Sequence, residues 1–259
     1  MKAPPLVALG GVGKRFANGV AALDGLDLEI GPHDFVSLLG PSGCGKSTAL
    51  RLIAGLAAPS AGRIVWDEAA AAAARAPGGI GFVFQEPTLM PWSSALGNAM
   101  LPLRLAGVPR AEAAARAAAA LDAVGRAGFE RAVPRELSGG MRMRVSIARA
   151  LVTRPRLLLM DEPFAALDEI TRWKLNDDLL ALWSVQRFAS VFVTHSVFES
   201  VYLSERVVVM GPRPGRAVAE HRLAEPAPRA AGYRTSARYA AQCRTVSDLL
   251  AAATGGGAR

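Results

Sequence analysis

The segment Gly40–Thr48 constrains this chain more than any other part of its sequence. It reads GPSGCGKST and matches the pattern G-x-x-x-x-G-K-[ST]. The apolar run Phe35–Leu39 precedes it, and the helix-compatible stretch Ala49–Leu56 follows it. A strand, a glycine-rich loop and a helix in this order aim successive backbone N–H groups and a helix N-terminus at one anion. The segment therefore predicts a phosphate-binding loop.

The loop predicts a site for ATP and Mg²⁺. Glycines let the backbone bend around phosphate oxygens, and we expect Lys46 to reach the β- and γ-phosphates and Ser47 to ligate Mg²⁺. A glycine-rich turn without a ligand is the alternative, and the flanking strand and helix count against it. The predicted nucleotide contacts are Gly40, Pro41, Ser42, Gly43, Cys44, Gly45, Lys46, Ser47 and Thr48.

An acidic pair follows a second apolar run, Leu157–Met160. Carboxylates at the end of a buried parallel strand face the crevice where ligands bind. We expect Asp161 to hold Mg²⁺, directly or through water, and Glu162 to polarise the attacking water. The alternative is an ordinary acidic helix start, which the presence of the phosphate loop disfavours.

Four short apolar runs predict strands that are buried on both faces of a mainly parallel sheet. Residues from about 87 to 155 contain no strand-like run, and we interpret them as a helical insertion with helices near 111–124 and 140–153. The alanine run 69–74 fits a helix or a surface loop, and residues 245–253 fit one short C-terminal helix. The four strand-like runs are Phe35–Leu39, Ile80–Phe84, Leu157–Met160 and Ser190–Thr194.

Composition agrees with a packed, cytoplasmic protein. Hydrophobic residues make up 51% of the chain, and the sequence has neither a membrane-spanning apolar run nor a convincing signal peptide. We expect Cys44 and Cys243 to be free thiols. The net charge of +8 is concentrated toward the C-terminus, which is compatible with anionic lipid or nucleic acid. A coding bias is the preferred interpretation, because no compact basic run is present.

Further motifs resemble a known family. The segment Leu137–Met141 reads LSGGM, a basic helix follows it, and LLLMDEP comes about twenty residues later. Together these motifs resemble the nucleotide-binding subunit of an ABC transporter, from about Val7 to Pro214. The resemblance implies an α/β fold: a P-loop NTPase core with a mainly parallel sheet, an N-terminal antiparallel β region and an inserted α-helical subdomain. The expected ATPase domain is 1–215, with a short basic extension at 216–259.

The resemblance also assigns roles to single residues. Gln85 after GFVF matches the Q-loop, Asp168 ends the D-loop FAALD, His195 after VFVT matches the switch histidine, and Phe16 matches the aromatic that stacks on adenine. The implied catalytic residues are Glu162, His195 and Gln85; the implied metal ligands are Ser47, Gln85 and Asp161; the further nucleotide contacts are Phe16, Ser138, Gly139, Gly140 and Asp168.

Partners are implied as well. Two copies of the chain would hold two ATP molecules, with Ser138, Gly139 and Gly140 of each copy facing the other copy's γ-phosphate. The closest resemblance is to nitrate, sulfonate and taurine importers, some members of which serve thiamine-related pyrimidine precursors. It implies a transmembrane permease, a periplasmic or lipid-anchored solute-binding protein and a peripheral position on the cytoplasmic face of the inner membrane. A permease helix would dock near Gln85–Asn98, which includes Trp92. Met143 replaces the usual Gln of the signature helix, and we expect activity to survive.

Two other classes remain as alternatives. A soluble ABC-type ATPase acting on nucleic acid or ribosomes usually carries two cassettes or a long coiled coil, whereas this chain has one phosphate loop and one LSGG. A small-molecule kinase with a phosphate loop would have no use for LSGG.

Overall fold

The chain is divided near residues 70 and 188 into two units. The first unit comprises Met1–Ala70 and Ala189–Arg259, and the second comprises Ala71–Phe188. The computed structural model describes residues 4–67, 78–125, 128–225, 227–230 and 232–255. The alanine run at 69–74 lies outside these described residues, so its predicted conformation stays a prediction.

Nine strands and seven α-helices are present in the described residues. The strands are β1 (Val7–Arg15), β2 (Ala21–Ile30), β3 (Phe35–Leu39), β4 (Ala61–Trp66), β5 (Ile80–Val83), β6 (Leu157–Asp161), β7 (Ala189–Thr194), β8 (Arg206–Met210) and β9 (Ala217–Arg222). The helices are α1 (Lys46–Ile53), α2 (Ala95–Leu105), α3 (Arg110–Ala123), α4 (Gly139–Leu151), α5 (Glu169–Gln186), α6 (Val197–Leu203) and α7 (Ala237–Gly255).

The first unit contains two kinds of sheet. Strands β2, β1 and β4 pair antiparallel in that order. Strands β7, β3, β8 and β9 form a second layer, in which β3 runs parallel to β7 and β8 while β9 is antiparallel to β8. Every residue of β3, β7 and β8 is buried, as near-continuous apolar strands in a covered parallel sheet require.

The second unit combines a parallel strand pair with a helical layer. Strands β5 and β6 are parallel, and α2, α3 and α4 pack against one another. Helix α4 also lies against β5 at Gly81, where an added Cβ would stand 2.7 Å from the carbonyl oxygen of Ala150. This glycine is needed because the helix backbone approaches the strand too closely for any side chain.

The elements differ from the sequence predictions mainly at the C-terminal end. The predicted short helix at 245–253 is part of α7, which starts at Ala237, and the polar segment before it contains the edge strand β9. No helix among the described residues is both long and apolar enough to cross a bilayer. Cys44 and Cys243 are both free and buried.

Trp183 of α5 is the largest fully buried side chain in the second unit. Its indole Nε1 donates a 2.7 Å hydrogen bond to the carbonyl oxygen of Phe188. We expect Trp183→Ala to lower the free energy of unfolding by about 3–5 kcal/mol, because it opens a cavity and removes that hydrogen bond. Urea titration followed by circular dichroism measures the change.

Trp92 offers a matched control, because its side chain is 79% exposed. Trp92→Ala is expected to change the unfolding free energy by less than about 0.5 kcal/mol. Equal losses in the two variants would contradict the assignment of Trp183 to the core.

Candidate nucleotide site

The phosphate loop connects the buried end of β3 to the first turn of α1. Gly43 and Gly45 have φ angles of 76° and 103°, which side-chain-bearing residues rarely adopt. Gly45 is the N-cap of α1 and has no side chain to satisfy the first N–H groups of the helix. The first N–H groups of a helix have no acceptor one turn earlier, so the N-terminus of α1 favours an anion.

Lys46 is held inside this loop. Its side chain is 4% exposed, and Nζ donates to the carbonyl oxygens of Gly40 at 2.9 Å and Pro41 at 3.0 Å. A nearly buried ammonium needs such acceptors because the desolvated charge is otherwise costly. The loop therefore presents a fixed positive charge beside the N-terminus of α1, which is the arrangement that phosphate binding requires.

The segment after β8 supports the loop from behind. Arg213 Nε donates to the carbonyl oxygen of Gly43 at 2.9 Å, and Gly215 N donates to the carbonyl oxygen of Ala22 at 2.9 Å. A Cβ on Gly215 would lie 1.9 Å from the carbonyl oxygen of Cys44. The backbone of this segment thus contacts the loop directly, and the sequence reasoning gave it no role.

His195 lies beside the start of the phosphate loop within the same unit. Leu39 and Thr194 are paired partners on the parallel strands β3 and β7, so Gly40 and His195 leave the sheet at the same edge. Ser196 caps the next helix by accepting a hydrogen bond from Glu199 N at 3.3 Å, which fixes the turn that carries His195.

A cavity of about 320 Å³ lies between this turn and the C-terminal helix. Helix α7 forms the opposite wall, although the sequence predicted a short basic extension without a role there. The lining residues are Gly40, Pro41, His195, Ser247, Leu250, Ala251 and Thr254.

Phe16 lies in the turn that follows β1 and is 42% exposed. Lys14 Nζ stands 5.6 Å from its ring centroid, within cation–π range. The Phe16 ring is not part of the core, and its exposed surface could stack on a base. Its stacking role therefore stays a prediction.

The acidic pair and Gln85 leave a second strand edge together. Val83 and Met160 are paired on the parallel strands β5 and β6, so Gln85 and the acidic pair follow strand ends at equal height. Asp161 closes β6 and is 9% exposed. Glu162 is half-buried and has a φ of 45°, a strained conformation for a glutamate that is typical of functional positions.

Ser138 is the N-cap of α4, and its Oγ accepts a hydrogen bond from Met141 N at 3.3 Å. Its side chain is exposed, so the helix N-terminus faces outward. Gly140 is buried, and a Cβ there would lie 2.6 Å from Thr171 Cγ2. The glycine therefore also allows α5 to approach α4, a packing role that the sequence reasoning did not foresee.

Asp168 caps α5 by accepting a 2.9 Å hydrogen bond from Thr171 N. The hydrogen bonds from the Thr171 backbone and side chain hold the pKa of the Asp168 carboxyl below its usual value. Its role as a nucleotide contact stays a prediction, and its capping role is established by this geometry.

Comparisons with known proteins agree on one family. The model of the ABC transporter family matches residues 23–165. The taurine import ATP-binding protein of Rhizobium johnstonii is 48% identical over 209 residues, which is 81% of this chain and 79% of that protein. An aliphatic sulfonates import ATP-binding protein of Xanthomonas axonopodis pv. citri is 43% identical and covers 93% of both chains.

The chain belongs to the ABC transporter ATP-binding family.

A solved structure supports the same conclusion. A dimeric ATP-binding cassette in a post-hydrolysis state with ADP and Pi superposes with a TM-score of 0.73 at 34% identity, covering 84% of this chain and 98% of that one. The predicted family and fold class are confirmed, and so is the prediction that this ABC protein is an ATPase.

The roles of the single residues stay predictions. The structure shows where Met143 of the signature helix lies. Met143 is 2% exposed, so the residue that replaces the usual Gln belongs to the packed face of α4. This position supports the expectation that the substitution is tolerated, because a buried methionine fills space without needing a polar partner.

Gly215→Ala tests the support behind the phosphate loop. The new Cβ must displace the Cys44 carbonyl, and overpacking of this kind costs about 1–3 kcal/mol, so we expect ATP affinity to fall by about tenfold or more. Isothermal titration calorimetry with ATP measures the change.

Gly10→Ala is the control, because its Cβ would meet nothing closer than Arg63 Cγ at 3.9 Å. We expect ATP affinity within about twofold of the unmodified chain for this variant. Unchanged affinity in Gly215→Ala would show that the segment after β8 does not set the loop's conformation.

Proposed function

We propose that this chain supplies the energy for the import of a small sulfonate, of the taurine or aliphatic sulfonate class. The observation that carries the proposal is the 43% identity to an aliphatic sulfonates import protein over 93% of both chains. The family resemblance seen in the sequence also includes importers of nitrate and of pyrimidine precursors. The solute itself is selected by a permease and a solute-binding protein, so this chain contributes ATP binding and hydrolysis at the cytoplasmic face of the membrane.

Two copies of the chain would enclose the nucleotide. One copy offers the phosphate loop with Lys46, and the other offers the N-terminus of α4 at the exposed Ser138, where the N–H groups of Gly139 and Gly140 have no acceptor one turn earlier in the helix. A similar cassette is a dimer bound to ADP and Pi, which supports a nucleotide-bound dimer of this chain. ATP that contacts both copies stabilises the closed dimer, and its hydrolysis removes that stabilisation.

The residues also fit Mg²⁺. Magnesium in nucleotide sites takes oxygen ligands from one or two side chains and from the phosphates, and the chain offers the Ser47 hydroxyl, the Asp161 carboxylate and the Gln85 amide oxygen. The ion would neutralise charge on the β- and γ-phosphates. We expect Glu162 to accept the proton of the attacking water and His195 to hold the surroundings of the γ-phosphate.

A permease would contact the surface around Trp92. A tryptophan that is 79% exposed is unusual on a free surface and is typical of protein interfaces. The buried Asn98 fixes the backbone beside it: its Oδ1 accepts a hydrogen bond from Met90 N at 2.7 Å, and its Nδ2 donates one to the carbonyl oxygen of Ser93 at 2.9 Å. The indole is therefore presented on a fixed backbone, which lowers the entropic cost of docking.

Glu162→Gln tests the dimer and the catalytic carboxylate together. We expect ATP to bind with unchanged affinity while turnover falls by at least about a hundredfold, because the amide cannot accept the proton. The unhydrolysed ATP should then hold a stable dimer, which light scattering during size-exclusion chromatography with ATP and Mg²⁺ detects.

A second substitution in this background separates the two halves of the site. Ser138→Arg is expected to abolish the dimer and leave ATP affinity unchanged, because it blocks the helix N-terminus and not the phosphate loop. Ala181→Arg, on the exposed side of α5, should leave the dimer intact. A monomer with normal turnover in Glu162→Gln would exclude this role for Glu162.

Uptake in the source organism tests the solute class. Deletion of the gene for this chain should abolish uptake of labelled taurine or of a short aliphatic sulfonate. The unmodified chain should restore uptake when it is expressed in the deletion strain, and the Lys46→Ala variant should not. His33→Ala, an exposed position outside the site, should restore uptake fully. If the deletion abolishes uptake of nitrate or of a pyrimidine precursor instead, the proposed solute class is wrong. If uptake of all these solutes is intact and the chain binds ribosomes or nucleic acid, the soluble ABC-type ATPase is favoured.

A further inference from the structure

One guanidinium in the second unit connects two motifs that lie far apart in sequence. Arg149 stands in the last turn of α4, the helix that begins beside Ser138. Its Nη1 donates to the carbonyl oxygen of Thr88 at 2.8 Å, and its Nη2 donates to the carbonyl oxygen of Pro87 at 2.9 Å and to Thr88 Oγ1 at 3.0 Å. Gln85 lies just before these acceptors in the chain.

The backbone that Arg149 holds is strained. Thr88 has a φ of 46°, which is an outlier for a β-branched residue and persists only where the surroundings impose it. A planar fork of N–H donors suits two adjacent carbonyl oxygens better than an ammonium does. Arg149 is half-buried, and this desolvation lowers the pKa of its guanidinium, which still remains charged at neutral pH because its normal pKa is so high.

The same segment is fixed at its other end. Asn98 of α2 is fully buried and bonds both the N–H and the carbonyl oxygen of Met90, at 2.7 and 3.2 Å. Asn98 Nδ2 also donates to the carbonyl oxygen of Ser93 at 2.9 Å. The exposed Trp92 therefore lies between backbone that α4 holds at Pro87 and Thr88 and backbone that α2 holds at Ser93. A displacement of Trp92 must consequently strain one of them.

Helix α4 provides the rigid connection. It has 13 residues and is about 20 Å long at 1.5 Å per residue. Its N-cap is the signature serine, Ser138, and its last turn carries Arg149. A force on the segment after Gln85 thus reaches Ser138 through three charge-assisted hydrogen bonds and one helix.

We propose that Arg149 is a positioning residue that couples the Trp92 surface to the signature helix, so that a partner bound at Trp92 and ATP bound at Ser138 move the same body. This coupling rests on the proposed function, which assigns the permease to Trp92 and the second copy's ATP to Ser138. This role differs from merely fixing the conformation of a loop. If Arg149 only fixed the loop, hydrogen–deuterium exchange in residues 86–94 would not respond to ATP, whereas coupling predicts that it does.

Hydrogen–deuterium exchange of residues 86–94 tests the coupling in the full chain carrying Glu162→Gln. With ATP and Mg²⁺, we expect exchange in this segment to slow by about fivefold or more, because dimer closure at Ser138 restrains α4 and its attached segment. Adding Arg149→Ala should reduce the effect to less than about twofold while ATP affinity and the dimer are retained.

Two further variants interpret the result. Arg116→Ala is the matched control, because Arg116 also donates to a backbone carbonyl, that of Val152 at 3.2 Å, and it should keep the full ATP effect. Arg149→Lys retains the charge without the fork and should give an intermediate effect, which also provides a folded variant if Arg149→Ala is unstable.

The two proposals fail in different ways. If the dimer forms and Arg149→Ala or Arg149→Lys keeps the full ATP effect on residues 86–94, the coupling role is wrong and the proposed function stands. If Glu162→Gln with ATP and Mg²⁺ gives no dimer, the shared ATP site is wrong and the coupling is wrong with it.

Discussion

The conformation of the phosphate loop depends on close contacts between its own backbone and the backbone of neighbouring segments. The loop leaves a fully buried strand, turns through two left-handed glycines and enters a helix whose N-cap has no side chain. Carbonyl oxygens of neighbouring segments fill the space where side chains would otherwise lie: Ala22 O stands 2.6 Å from the Cβ position of Gly45, and Met210 O stands 2.8 Å from that of Gly40. Because hard contacts on several sides leave little freedom, the amides that we expect to bind phosphate are organised before a ligand arrives, which reduces the entropic cost of binding.

Strand register explains how distant motifs become neighbours. In each unit two parallel strands end at the same height, so residues about 155 positions apart, Gly40 and His195, leave the sheet together. The same geometry brings Gln85 to the edge where Asp161 ends β6 and Glu162 follows it. The candidate chemistry therefore lies at the strand ends and in the short polar segments that follow them.

The sequence was informative wherever the pattern is local. The phosphate loop, the buried strands and the acidic pair were predictable because spacing, apolar runs and turn residues specify them within a few positions. The roles of Gln85, Asp168, His195, Phe16 and Ser138 came from resemblance, since a single polar residue after a strand has no distinctive local signal.

The contributions that were missed are long-range. Nothing near Gly215 reveals that it must accommodate the Cys44 carbonyl, because the two residues meet only after the sheet is assembled. Arg149 reads as one more basic residue on a basic helix, and its acceptors lie about sixty residues earlier. The start of helix α7 was missed although its buried residues, Tyr239, Cys243 and Val246, have the i, i+4, i+7 spacing of a helix face. Only three residues carry that pattern, and the alanines around them favour neither face of the helix.

The position of α7 has a practical consequence for handling the protein. Thr254, in the last turn of this helix, is part of the wall of the cavity that also contains His195. Any affinity tag, fluorophore or fusion partner attached after this helix therefore starts beside His195, for which we expect a role at the γ-phosphate, even though α7 is far from the phosphate loop in sequence.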